Sequence, residues 1–383
     1  MNESFAGLAT AANRAIELYY PEGKRLFGDP LALELLPFRW RLLMRLVFLP
    51  GIRDLILALR ERRVPGVLGS LICRTRYIDD VLKLSLQERV KQVVILEAGF
   101  DTRAYRIEAI DQAHCFEVDI PGAIQLKKSR VEAVLGVLPE GVTWVEIDFD
   151  RQELGEVMAA AGCHNEEKTL FIWEGVTQYI SAEAVDTTLR FVSSAAAVGS
   201  TIVFTYIPHG IIDGSDCTDV EQRIVPFASR MGSAWIFGFN KAELPQYLYE
   251  RGLKLIEDVG APEYRERYLL HFDRKMSIFS GERVAFAMVV KEYIESLALS
   301  LLGKRANSLY GYINCILPYV QLRRSLPKGG HFRRLRDRDG FFPGGHAHQL
   351  QFKNVCQPAR NPNSVRLNLS FHLADRNFCC DPD

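Results

Sequence analysis

VVILEAGFDTRAYRI, residues 93–107, is the stretch on which the reading of this chain turns. Val93 to Leu96 are apolar without a break, which suits a strand covered on both faces. The run stops at Glu97, Ala98, Gly99, Phe100 and Asp101, small and acidic residues that read as a tight turn. In open parallel sheets such a turn is where ligands sit, beyond the carboxyl ends of the strands. Yet Gly99 is its only glycine, and Glu97 stands two residues before it. The glycine pattern of a dinucleotide turn is therefore missing.

Outward from this stretch the chain alternates β-rich runs with helical patterns. The runs are 92–98, 114–119, 142–148, 169–175, 201–207, 253–259 and 283–290, and helical segments lie between them at 121–135, 150–162 and 181–197. Ser181, followed by Glu183 and Asp186, reads as a helix start. Strict alternation predicts an α/β fold with a doubly wound, mostly parallel seven-stranded sheet. Residues 1–90 read as helices without strands, a lid able to lie over the strand ends and close a pocket. Residues 91–291 form the sheet domain, interrupted at 208–245 by a long insertion rich in glycine and aromatic residues. Beyond 292 periodicity fails, and 292–383 reads as a basic, poorly ordered tail.

The zero net charge of the 383 residues conceals an asymmetry. Residues 301–383 carry 13 basic and 5 acidic side chains, leaving 34 basic against 42 acidic in the first 300. The start, MNESFAGLATAANRAIELYY, lacks the apolar core of a secretory signal, and LVFLPGI (46–52) is far too short to span a bilayer. Cys73, Cys115, Cys163 and Cys217 are scattered, which reads as reduced thiols in a cytoplasmic protein. The tail adds four Cys and four His but neither C-x2-C nor H-x3-5-H, so no metal site is expected. Its arginines at HFRRLRDRD are interrupted by Asp337 and Asp339 and read as solvated, so no nucleic-acid partner is expected. Oligomeric state is not legible.

Acidic residues end four consecutive runs: Glu97, Asp119, Asp148 and Glu174. Asp119 lies twenty residues after Gly99, the spacing at which a carboxylate meets a ribose diol. Asp148 beside Phe149 suits a nucleobase amine and its flat face. Taken singly, Asp119 and Asp148 read equally as helix caps. Four acids on one rim disfavour a pyrophosphate and suit a cofactor bearing ammonium or sulfonium charge, such as S-adenosylmethionine.

The segments CRTRYIDDVL (73–82), 92–107, FEVDIPGAIQLKK (116–128), the Ile147-Asp148 pair and WEGVTQYI (173–180) carry a resemblance. With the opening pattern at 9–36 and the ending RVAFAMVV, the chain resembles the leucine carboxyl methyltransferase-like family of class I S-adenosylmethionine-dependent methyltransferases. The resemblance implies that Arg74 pairs with the carboxylate of the cofactor's methionine part, as a planar bidentate fork would. It implies further that Gly99 admits the cofactor closely, Asp119 holds the ribose, Asp148 and Phe149 meet the adenine, and Glu174 lies near the ammonium or the methyl. Asp101 and Arg103 read either as part of the site or as an ion pair shaping the turn.

The implied activity is O-methylation of a carboxylate or hydroxyl on a small molecule or peptide. A carboxylate needs no general base, only orientation and desolvation. Glu174, Tyr179, Tyr206 and His209 are the candidate acceptor-side residues, with His209 the base to test if the acceptor is a hydroxyl. The family usually has glycine where this chain has Glu97. A non-glycine residue in a left-handed turn costs roughly 1–2 kcal/mol, so weakened cofactor binding, or a non-catalytic scaffold of the same fold, is the second reading.

Overall fold

Seven strands, β1 (Gln92–Leu96), β2 (His114–Asp119), β3 (Val142–Glu146), β4 (Thr169–Trp173), β5 (Thr201–Tyr206), β6 (Leu253–Val259) and β7 (Arg283–Val289), form one sheet. Their order in this computed structural model is β3-β2-β1-β4-β5-β7-β6. β1 to β5 pair in parallel, and β7 is antiparallel to both its neighbours. The order reverses between β1 and β4, so a crevice opens at the carboxyl ends of those two strands. This is an α/β, doubly wound, mostly parallel architecture. The structure describes residues 5–290 apart from 48, 50, 150 and 231. Residues 291–383, and with them the tail expected at 292–383, lie outside the described residues.

Alternation along the strands builds two cores. Val93, Ile95, Leu170, Ile172 and Val203 face one side, where they join α1 (Phe5–Ile16) and α5 (Val67–Gln87). α2 (Pro30–Glu34), α3 (Phe38–Val47) and α4 (Ile52–Arg63) lie between those two helices in sequence. Val94, Leu96, Phe116, Phe171 and Trp173 face the other side. After the short α6 (Arg103–Arg106) and the long α7 (Pro121–Leu135), that side is covered by α8 (Leu154–Ala160) and α9 (Ala182–Ser194). Full burial of each such Val, Leu or Phe is worth about 1.5–3 kcal/mol. The first helices therefore share one continuous core with the sheet.

Some boundaries move for local reasons. β1 ends at Leu96 because Glu97 turns into the left-handed region (φ +50°). The helix expected from 150 begins at Leu154, because Arg151 and Gln152 fold back to donate to the Asp148 carbonyl (3.0 and 2.9 Å). α9 starts as read, with the Ser181 hydroxyl accepting the Ala184 N–H. The insertion is pinned at its base, where Pro208 bridges Phe239 and the His209 N–H donates to the Phe239 carbonyl (2.8 Å). It holds α10 (His209–Ile212) and α11 (Glu221–Arg230) before α12 (Leu244–Tyr249).

α5 is locked to the segment before β7 by direct backbone packing. A Cβ on Gly69 would lie 2.1 Å from the Ser277 carbonyl oxygen, and the Phe279 N–H donates to the Gly66 carbonyl (2.9 Å). Gly69→Ala overpacks this contact and is expected to cost about 1–3 kcal/mol. A urea midpoint indistinguishable from wild type would contradict that tight approach.

Candidate functional site

A cavity of about 1100 Å³ opens at the carboxyl ends of β1 and β4, beneath α1, α3, α4 and the first turns of α5. Ligand sites favour such switch points. Its floor is the opening stretch. The Gly99 N–H (φ +40°) donates to Asp119 Oδ2 at 2.9 Å, and the Ile120 N–H to Oδ1 at 2.7 Å. Asp119 therefore braces the turn and makes no cap for α7. Burial raises its carboxyl above the ordinary range, against the pull of those two N–H groups.

Glu97 lines the same floor at φ +50°. Its carboxyl is pushed up to about 7, by burial first and by the Asp119 charge second, partly offset by a hydrogen bond with the Trp173 side chain. Two neighbouring acids thus resist ionising together. The turn is pinned from below by Lys127 of α7. Its Nζ lies 2.8 Å from Glu117 Oε2 in β2 and donates to the Ala98 carbonyl (3.3 Å).

Behind the turn runs a buried network of arginines and carboxylates. Arg103 reaches Asp79 Oδ1 (2.8 Å), Glu174 Oε2 (2.6 Å) and Asp101. Arg74 holds Glu174 Oε1 (2.8 Å) and Glu282, and Ser70 donates to Glu282 (3.1 Å). Arg106 pairs with Asp79 (2.7 Å), and Arg14 joins Asp29 (2.9 Å) and the Phe100 carbonyl. Burial alone would raise the Glu174 carboxyl, but Arg103 and Arg74 bring it well below the usual range. Asp101 is likewise lowered: Arg103, Lys127 and Arg14 outweigh its burial. Asp101 and Arg103 are an ion pair across the turn, extended by the Arg103 N–H to Asp101 Oδ1 (2.7 Å).

Of the residues read from sequence, Arg74, Glu97, Gly99, Asp119, Glu174 and Tyr179 line the cavity. Four others do not. Asp148 sits in the turn before α8, 3.6 Å from Arg151, and Phe149 is exposed beside it. Tyr206 is wholly buried, its hydroxyl donating to Asp258 (3.0 Å), because its position on β5 points into the second core. His209 faces outward with Nε2 3.4 Å from Asp213. The reading of Tyr206 and His209 as acceptor-pocket residues is therefore corrected.

Sequence reasoning gave no role to Arg14, Asp79 and Glu282, which stand far apart in the chain. Arg14 and Asp79 lay inside quoted motifs, which was the available signal. It also missed Gln178 and Trp235 on the cavity wall, whose Oε1 and Nε1 are buried without a hydrogen-bond partner. Among the described residues no cluster of His, Cys, Asp and Glu is arranged to hold a metal, and no helix is long and apolar enough to cross a membrane.

Fold and floor together define an α/β domain with a ligand cavity at its switch point. Residues 7–193, just under half of the chain, match the family model described as leucine carboxyl methyltransferase. A Streptomyces coelicolor protein named by inference an S-adenosyl-L-methionine-dependent methyltransferase is 33% identical over 41% of this chain and 54% of its own length. A similarly named Bacillus subtilis protein is 27% identical over 58% of this chain and 72% of its own. The chain spans about half the length of the first of these curated relatives. A solved structure from Thermobifida fusca, described by inference as a methyltransferase, has a TM-score of 0.45 at 14% identity, covering 63% of this chain and 89% of that one. A Burkholderia thailandensis 1,6-didemethyltoxoflavin-N1-methyltransferase, solved with S-adenosylhomocysteine, has a TM-score of 0.36 at 13% identity, covering 57% and 79%.

Glu97 makes stability depend on pH with a definite sign. Its folded carboxyl titrates at about 7, above its unfolded value, so the folded state holds the extra proton between about pH 4.5 and 7. Stability is full below that window and falls as pH rises through it. Glu97→Gln is expected to flatten this slope and to gain about 1–3 kcal/mol over wild type at pH 8. Parallel pH–stability curves for the two proteins would contradict the assignment.

Proposed function

We propose that the cavity binds S-adenosylmethionine and that the chain methylates an oxygen nucleophile, a carboxylate or hydroxyl of a small molecule or peptide. The observation that carries this is Asp119: an acid at the end of β2, tied to the Gly99 N–H at the switch point. Its place suits a ribose diol. The donor set fits the cofactor. Glu97 and Asp119 offer negative charge to its cationic end, and Arg74, at the edge of the cavity, offers a guanidinium to its carboxylate. When bound, the cofactor supplies an electrophilic methyl group.

The chain's own residues hold and orient. Glu174, its two oxygens taken by Arg74 and Arg103, fixes the direction of both guanidinium groups. Also lining the cavity, Gln178 Oε1 can accept and Trp235 Nε1 can donate, two buried groups free to orient a polar acceptor. Arg60, also on the wall, donates to Asn13 and has no carboxylate within ion-pair distance among the described residues. That favours an anionic acceptor over a neutral hydroxyl. Residues 1–90 act as the lid of the 91–291 domain, and the buried free thiols Cys73 and Cys115 support a reducing, cytoplasmic setting.

A second reading, a cofactor-poor scaffold, is favoured by one observation: Glu97 is a side chain in a left-handed floor position. Calorimetry with S-adenosylhomocysteine separates the two. Under the first reading the wild type binds, and Asp119→Asn weakens binding about 10- to 100-fold, the worth of a hydrogen bond to a charged group. Absence of binding by the wild type, restored by Glu97→Gly, would establish the second.

A further inference from the structure

We infer that the α3–α4 hairpin is a docking surface for an anionic lipid membrane. Both helices are apolar on two sides. Met44 and Val47 are buried inward, and Ile56 and Leu57 pack against the same core. On the outer side Phe38 (68% exposed), Leu42 (52%) and Leu46 (48%) follow one another at a spacing of four along α3. Ile52 (42%) and Leu55 (60%) follow at a spacing of three along α4. Helices apolar on opposite faces belong to buried settings, and here the outer face has no cover from the described residues.

The charge around this face identifies its partner. Residues 38–63 contain seven arginines and two acids, Asp54 and Glu61, a net +5. The rest of the first 300 residues holds 27 basic and 40 acidic side chains, so the basic charge is concentrated on this hairpin. Arg41 pairs with Glu34 and Arg53 with Asp54. Arg60 and Arg63 line the cavity, while Arg39, Arg45 and Arg62 make no ion pair among the described residues. Leucine and phenylalanine interleaved with unpaired arginine is the pattern of a helix lying in a headgroup layer, its apolar side chains entering the acyl boundary.

Other covers fit less well. A second copy packed face to face would set +5 against +5. Residues 301–383 carry eight more basic than acidic side chains and would meet the same repulsion. Nucleic acid would answer the arginines but not the row of exposed leucines. The hairpin is also a wall of the cavity, through Leu43, Met44, Val47, Ile56 and Leu57. Docking on it therefore sets the cavity against the lipid surface.

Flotation of the full chain with vesicles tests this. Expected is co-flotation with phosphatidylcholine vesicles containing phosphatidylglycerol, and little with phosphatidylcholine alone. Arg39→Gln with Arg45→Gln should weaken binding about 30-fold, at about fivefold per arginine near an anionic surface. Leu42→Gln, Leu46→Gln and Leu55→Gln together should abolish flotation. These side chains are exposed, so circular dichroism and Tm should match wild type and exclude misfolding. No flotation of the wild type with anionic vesicles would overturn the inference. So would flotation unchanged by both sets of substitutions, which would assign the binding to basic residues elsewhere. Retention on a DNA duplex, lost in the same variants and without vesicle binding, would overturn it in favour of nucleic acid.

Discussion

One guanidinium, that of Arg103, joins the three parts of the structure on which the site depends. It is buried, and it touches α5 through Asp79, the floor turn through Asp101 and the end of β4 through Glu174. Removing so many charges from water is costly, and only complete pairing offsets the cost. Here the pairing is shared. Arg74 takes the other oxygen of Glu174, and Arg106 the other side of Asp79. Loss of one member leaves several buried charges uncompensated, which ties helices, turn and sheet into a single cooperative unit.

Within that frame the acids at the site divide into two kinds. Glu174 and Asp101 are neutralised by arginines and kept ionised. Glu97 and Asp119 have no such partners, and burial raises both. The rim that looks like a row of four equivalent acids in sequence is therefore a structural acid, a pair of acids facing the cavity whose carboxyls burial raises, and Asp148 at a separate turn. A bound cation is the natural relief for the middle pair, as it would favour the ionised form of each.

The sheet was legible because its runs of Val, Ile and Phe are local signals, and all seven strands begin and end within two residues of the apolar runs. The reversal at β7 was not legible, since antiparallel pairing there depends on partners far away in sequence. The floor was read from Gly99 and Asp119, twenty residues apart with one element between them. What escaped was the side chain's direction. Tyr206 belongs to a strand end like Asp119 but faces the opposite core, and Phe149 follows an acid but turns outward. The arginine network escaped for a related reason: Arg14, Asp79, Arg103 and Glu282 meet only after folding, and each alone reads as a surface charge.

The anchoring of residues 208–245 separates two tasks. The segment is fastened at its base by Pro208 and Phe239 and once more where the Ile236 N–H donates to the Gln178 carbonyl (2.8 Å). Between these fastenings the chain supplies Ile224, Phe227 and Trp235 to the cavity wall and, among the described residues, no hydrogen bond to the floor turn. Changes of length or sequence inside the span reshape that wall while Gly99, Asp119 and the arginine network stay as they are. The fold thus keeps a fixed half and a replaceable half, so that a lineage can change what it acts on without rebuilding the machinery beneath.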